Sequence, residues 1–125
     1  MNKIQATCVT HSKHGVGSEI DVKVKFAAIN LAASADQSVV AAVTGKKIRV
    51  LKIDVTGATG DGTLLLESGT ATAISGLIPF DITVPALNRW NVEARHGVVE
   101  TAAGEALTAT CATVTVDGFL LYMEV

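Results

Sequence analysis

Two Asp-Gly pairs, Asp61-Gly62 and Asp117-Gly118, stand between runs of β-forming residues. A two-residue Asp-Gly loop accepts the positive φ angles of a type I′ turn, whose twist matches that of the strands it joins. The pattern predicts hairpins at both places: residues 112–116 turning back as 119–123, and 48–56 turning back as 63–67, with Gly57 and Gly60 lengthening the second loop. Hairpins build antiparallel sheets. Val, Ile and Thr supply roughly 30% of the residues, which favours a pleated sheet over helix. The expected fold is all-β: an antiparallel two-sheet β-sandwich, jelly-roll-like, of eight or nine strands.

A chain of 125 residues is one domain by the usual length relation, and residues 1–125 are read as a single sandwich. Aromatic residues are only 4% of the total, so aliphatic side chains must fill the core. Apolar residues reach 49% and charged residues only 18%. That balance is high for a lone soluble monomer, and part of the apolar surface is expected to be buried against other copies of the chain.

Periodicity places the remaining strands. Residues 4–10 alternate, as do 20–26, where Ile20, Val22, Val24 and Phe26 face the core and Asp21, Lys23 and Lys25 face water. Residues 27–43 read as strand, turn, strand, with the turn at 34–38. In 46–56 the alternation changes phase between Val50 and Leu51. Ile48 and Val50 then lie on one face and Leu51, Ile53 and Val55 on the other, which signals a bulge or a strand passing from one sheet to the next. Leu64, Leu65 and Leu66 predict a strand covered on both sides. Pro79 assigns 77–84 to an edge or bulge. Residues 85–95 read as a long loop carrying Trp90. Residues 96–100, 105–116 and 119–125 complete the sheets, the last with Phe119, Leu121, Met123 and Val125 on one face.

Chemistry-bearing patterns are few. A net charge of −2 argues against a nucleic-acid partner, which needs clustered Lys and Arg to neutralise phosphates. The cluster Lys46-Lys47-Ile48-Arg49 reads as a solvated strand start. Apolar runs such as 39–43 are too short to span a membrane, and no secretion signal follows Met1. Synthesis in a cytoplasm is expected, with Cys8 and Cys111 as buried thiols. His11 and His14 are the only closely spaced metal-ligand types; no acidic or cysteine ligand shares their loop, and they read as solvated. The run Gly57-Ala58-Thr59-Gly60-Asp61-Gly62 joins two strands, whereas a phosphate loop must open onto a helix. Carboxylates such as Asp54, Glu67, Asp81, Glu93, Glu100 and Glu105 are scattered, and no Ser or Cys has a nucleophile's setting. The chain is read as neither an enzyme nor a holder of a cofactor or metal. Trp90, with Asn88, Arg89 and Asn91, is the one suggestive surface group: it can stack on a sugar, plug the end of the sandwich or anchor a subunit contact.

Residues 40–51, with Thr44-Gly45-Lys46-Lys47-Ile48-Arg49 at their centre, resemble a segment of small structural proteins of tailed bacteriophages. So do residues 96–107, ending in Ala103-Gly104-Glu105-Ala106-Leu107, and the final stretch 118–125. The resemblance covers roughly residues 39–125 and is to capsid decoration (cement) proteins and related virion accessory proteins. It implies a β-sandwich or jelly-roll fold, a homotrimer, a major capsid protein as partner, and a place on the capsid exterior of the virion, after synthesis in the host bacterial cytoplasm. It implies no catalytic residue. Residues 1–17 are the expected arm contacting the capsid or a neighbouring subunit. A carbohydrate- or receptor-binding module of a phage head or tail fibre, with its site at Trp90, is the alternative reading.

Overall fold

The computed structural model describes residues 23–70 and 72–125. The strand expected at 4–10, Cys8, His11, His14 and the arm at 1–17 lie outside the described residues. Ten strand segments are present among those described: β1 (Lys25–Leu31), β2 (Gln37–Val40), β3 (Ile48–Thr59), β4 (Gly62–Ser68), β5 (Thr72–Ala73), β6 (Ile78–Phe80), β7 (Arg89–Glu93), β8 (Val99–Glu100), β9 (Leu107–Ala112) and β10 (Thr115–Glu124). Two of these, β5 and β8, are only two residues long, so eight longer strands carry the fold.

All pairings are antiparallel and fall into two sheets. The first runs β1-β10-β3-β7, with β8 also on β3; the second runs β2-β9-β4-β5, with β6 also on β4. Each strand of the first sheet is joined to its counterpart in the second: β1 to β2, β10 to β9, β3 to β4 and β7 to β6. Four connections therefore arch between the layers side by side. This is the strand order of a jelly roll, and the expected all-β two-sheet sandwich is what forms.

The local route to it differs from the hairpins expected at the Asp-Gly pairs. Asp61-Gly62 lies at the arch between β3 and β4, strands that belong to different sheets and do not pair. Asp117-Gly118 is no turn at all: both residues lie inside β10, where Asp117 opposes Thr56 and Gly118 opposes Val55. The true reversal after β9 is at Thr113, a β-branched residue at φ 62° whose hydroxyl donates to the Asp61 carbonyl. Gly118 is needed for a different reason. In the centre of the sheet at φ 154°, a Cβ there would meet the Asp54 carbonyl oxygen and lie 2.8 Å from the Val55 Cα.

The phase change in β3 is a bulge and not a change of sheet. Pairing with β10 slips between Leu121 and Tyr122, opposite the step from Lys52 to Val50. The extra residue, Leu51, absorbs the shift, so Ile48, Val50, Ile53 and Val55 all enter one core instead of lying on two faces. The strand-turn-strand reading of 27–43 holds, with the reversal at Asp36 (φ 51°). In β1 the facing is corrected: Ile29 and Leu31 are buried, whereas Phe26 points outward and is 59% exposed. Val24, just before the strand, is buried. In β10, which carries no extra residue, Val116, Leu120 and Tyr122 turn to the core and Phe119 lies outside it, the reverse of the facing expected. Leu64 and Leu66 are buried between the sheets while Leu65 is half-buried on the outer side, so β4 is less fully covered than expected.

Ile48, Ile53, Leu64, Leu66, Leu107 and Leu120 are the largest fully buried side chains. Each contributes roughly 1.5–3 kcal/mol by leaving water. Cys111 joins this core as a free thiol, pushed up to about 11 by burial and so inert as a nucleophile. Threonines satisfy buried polar groups at two places. Thr101, also buried, accepts the Ile48 N–H at 2.9 Å, and Thr110 donates to the buried Glu67 carboxylate at 2.6 Å.

Candidate functional site

Residues 85–95 are not the long loop expected. Pro85–Leu87 form one 3-10 turn, and Arg89–Glu93 are β7, paired with β3 so that Trp90 opposes Val55 and Arg89 opposes Thr56. Strand alternation then divides the expected constellation. Trp90 and Val92 turn inward, half-buried against the core, while Arg89 and Asn91 are exposed on the outer face. Arg89 makes a bidentate pair with Asp54, at 3.0 and 2.8 Å. Asn88 sits half-buried at the end of the preceding loop, where its Nδ2 donates to the Gly57 carbonyl at 3.0 Å and its own carbonyl accepts the Gly57 N–H at 3.0 Å. Its Oδ1 is buried without a partner. Gly57 allows this approach, because a Cβ there would stand 2.6 Å from that oxygen.

The surface that stands out is the segment before β7. Leu77, Ile82, Val84 and Leu87 are all exposed, and Phe26 is the only other large exposed apolar side chain among the described residues. Pro79 puts β6 at a sheet edge as expected, where it pairs with β4 through Thr63. After β6 the chain closes on itself. The Asp81 carboxylate accepts the Thr83 N–H at 2.9 Å and the Thr83 hydroxyl at 2.6 Å, and the Asp81 carbonyl accepts the Val84 N–H. Leu87 N–H donates to the Val84 carbonyl, and Asp81 N–H to the Leu87 carbonyl. The Ile82 N–H reaches across to the Asp61 carboxylate at 3.0 Å. The loop thus satisfies its polar groups internally and turns its apolar side chains to water, the reverse of an ordinary solvated loop. The sequence held a signal for this: from Gly76 to Asn88 the only charged residue is Asp81.

A second, smaller apolar feature lies on the outer face of the β1-β10-β3 sheet. The Phe26 and Phe119 rings stack with centroids 5.8 Å apart and planes 19° apart. The Lys52 ammonium lies 5.8 Å from the Phe119 centroid, within reach of a cation–π contact.

Ion pairs tie the outer edges. Arg49 meets Glu100 at 2.6 Å, Lys47 meets the same carboxylate at 3.6 Å, and Lys25 meets Glu124 at 3.0 Å. The Arg89 guanidinium holds the Asp54 carboxyl below its usual range, and Arg49 does the same for Glu100. The Thr83 hydroxyl lowers Asp81. Groups with depressed folded values stabilise above their unfolded pKa, near 4, and lose that contribution as pH falls through the folded value. Thermal unfolding measured from pH 6 to pH 2 is therefore expected to show Tm falling below about pH 4. Asp54→Asn should make that fall shallower; an unchanged slope would exclude the Arg89 pair as a contributor. The pair is exposed, so its share is no more than about 1 kcal/mol.

Among the described residues no group of three or more His, Cys, Asp or Glu side chains is arranged to hold a metal ion, and His96 is exposed. No helix among them is long and apolar enough to cross a membrane. Comparison with family models, with curated proteins and with solved structures found no match.

Proposed function

We propose that the chain is a structural assembly protein of a virus particle, a capsid decoration protein that self-associates and reinforces the exterior of the head. The observation that carries the assembly half is the internally hydrogen-bonded loop after β6, which presents Ile82, Val84 and Leu87 to solvent. Exposing large apolar side chains on a rigid support costs solubility and adds nothing to the core, so such a surface is kept for contact with another macromolecule. The virion half is supported by the resemblance of residues 39–125 to phage decoration proteins, and the jelly roll is a fold compatible with that role. Its partners are further copies of itself, a homotrimer on this reading, and a major capsid protein.

Light scattering on the purified chain at micromolar concentration tests the first half. One discrete species of several chain masses is expected, and a monodisperse monomer would remove the basis of the proposal. The second half is tested by mixing the protein with capsid shells of the phage that encodes it and sedimenting them. Co-sedimentation that saturates at a fixed number of copies per shell is expected; recovery of all the protein in the supernatant would overturn it.

A further inference from the structure

The strand that ends the first sheet, β7, is paired on one side only. Its ladder on β3 is continued at either end by the Gly57 N–H to the Asn88 carbonyl and the Ala94 N–H to the Leu51 carbonyl, so Trp90 and Val92 are the residues of β7 that bond β3. Alternation then turns the N–H and C=O groups of Arg89, Asn91 and Glu93 outward. None of these groups meets a partner among the described residues. No proline or bulge interrupts β7. The edges of the second sheet are blunted instead: β6 carries Pro79, β5 has two residues, and β2 has four with a slip in register.

We propose that β7 pairs antiparallel with β7 of a second copy about a two-fold axis at Asn91, joining the first sheets of the two chains into one. This rests on the self-association proposed above and names the surface that carries it. What selects a second copy is the strand itself, Arg89-Trp90-Asn91-Val92-Glu93. It runs positive, apolar, amide, apolar, negative, and so is complementary to its own reversal. With the axis at Asn91, Arg89 of each chain stands opposite Glu93 of the other, and the two Asn91 residues oppose one another. These are the residues whose backbone groups face outward, so each opposed pair exchanges N–H···O=C bonds. On the inner face Trp90 stands opposite Val92 of the second copy, an aromatic side chain on a β-branched one. Both are half-buried in the single chain, and pairing takes more of their apolar area out of water.

Charge also fixes the register. Within one chain Glu93 opposes Lys52, and Arg89 holds Asp54. The pairing sets Glu93 between Lys52 and the second copy's Arg89, so charges alternate across the joined sheet. Sliding the strands one way leaves Arg89 opposite Asn91 and then opposite Arg89 of the other chain. Sliding them the other way sets Arg89 opposite Arg95, and then Glu93 opposite Glu93. Like charges directly opposed are destabilising, and only the register centred on Asn91 gains ion pairs. The terminal strand at the other side of the sheet, β1, has Lys25 as its one charged residue, so no register of β1 on itself brings opposite charges together. A two-fold contact joins chains in pairs. It is therefore separate from any three-fold contact, and where both form it couples two trimers.

The test uses three full-length variants, Arg89→Glu, Glu93→Arg and Asn91→Pro, each checked for native circular dichroism. All three side chains are exposed, and the Asn91 N–H lies outside the ladder to β3, so the single chain keeps its bonds. Assembly mass is read by native mass spectrometry and light scattering from micromolar to near-millimolar concentration. The unmodified chain is expected to hold an even number of copies. Asn91→Pro removes the central N–H of the seam and is expected to halve that mass. Arg89→Glu and Glu93→Arg each set like charges opposite one another at both ends of the seam, and each alone is expected at half mass. Their equimolar mixture opposes Glu to Arg at both ends and is expected to regain the full mass, with one chain of each kind across every seam. A monomeric unmodified chain would end self-association and this contact together. An odd number of copies, an even assembly whose mass the variants leave unchanged, or charge variants that stay at half mass when mixed would overturn the β7 pairing alone and leave self-association standing. Should Asn91→Pro lose its native spectrum, the charge variants and their mixture decide.

Discussion

Gly118→Ala is expected to destabilise the protein by about 2–4 kcal/mol, the sum of a strained backbone and a steric clash in a central strand. For a chain of this length that corresponds to a fall in Tm on the order of 10 °C. Gly118 lies between Ile29 on β1 and Val55 on β3, with φ 154°. An added Cβ would press on the Asp54 carbonyl oxygen and the Val55 Cα, both backbone atoms of a strand paired on either side. Nothing there can swing away as a flexible side chain would. To relieve the contact β10 must move from β3, which breaks the longest ladder among the described residues and separates Val116 and Leu120 from their core neighbours. Gly45→Ala is the control. Gly45 also has positive φ, at 74°, but nothing within 4 Å of a Cβ. It should show only the left-handed penalty of roughly 1–2 kcal/mol. Equal losses in the two variants would mean that close approach at Gly118 contributes nothing.

The same residue shows how the right class of fold was legible by a partly wrong route. Asp-Gly reads as a turn because glycine tolerates unusual φ, but that tolerance serves equally where one backbone must lie against another. Which need applies depends on residues distant in sequence, here Asp54 and Val55. The actual turn at Thr113 was illegible, since a β-branched residue at positive φ is disfavoured locally and is held by the carbonyl of Asp61 from another arch. By contrast, the bulge at Leu51 was readable. It is written in the order of apolar residues along one strand, as is the edge position of Pro79. Alternation failed to fix the direction of Phe26 because the pattern before it, through Val22 and Val24, runs out of phase with that of β1, where Ile29 and Leu31 are the inward residues. The apolar loop after β6 was visible as composition, a stretch with one charge. Its exposure was not, because the conformation of the loop depends on bonds to particular partners, Asp81 with Thr83 and Asp61 with Ile82 among them, that composition does not reveal.

Trp90→Ala is expected to cost about 2–3 kcal/mol, somewhat below the usual loss for a fully buried Trp because one side of the ring is still wet. The indole packs against the core on a strand paired to β3, so its removal opens a cavity beneath β7 next to Val55. Trp90→Phe should recover a large part of the loss by refilling the apolar volume. The outward neighbours behave differently: Asn91→Ala should change stability by no more than roughly 0.5 kcal/mol, and Arg89→Ala, which within one chain removes only a solvent-screened pair with Asp54, should cost less than Trp90→Ala. Chemical denaturation of the four variants measures these differences directly. A stacking platform for a sugar would give another pattern, with ligand binding lost and stability nearly unchanged on Trp90→Ala, since such a ring must offer its face to solvent. If the midpoint for Trp90→Ala coincides with that of the unmodified chain, the ring does not support the core, and the assignment of this residue to packing is wrong.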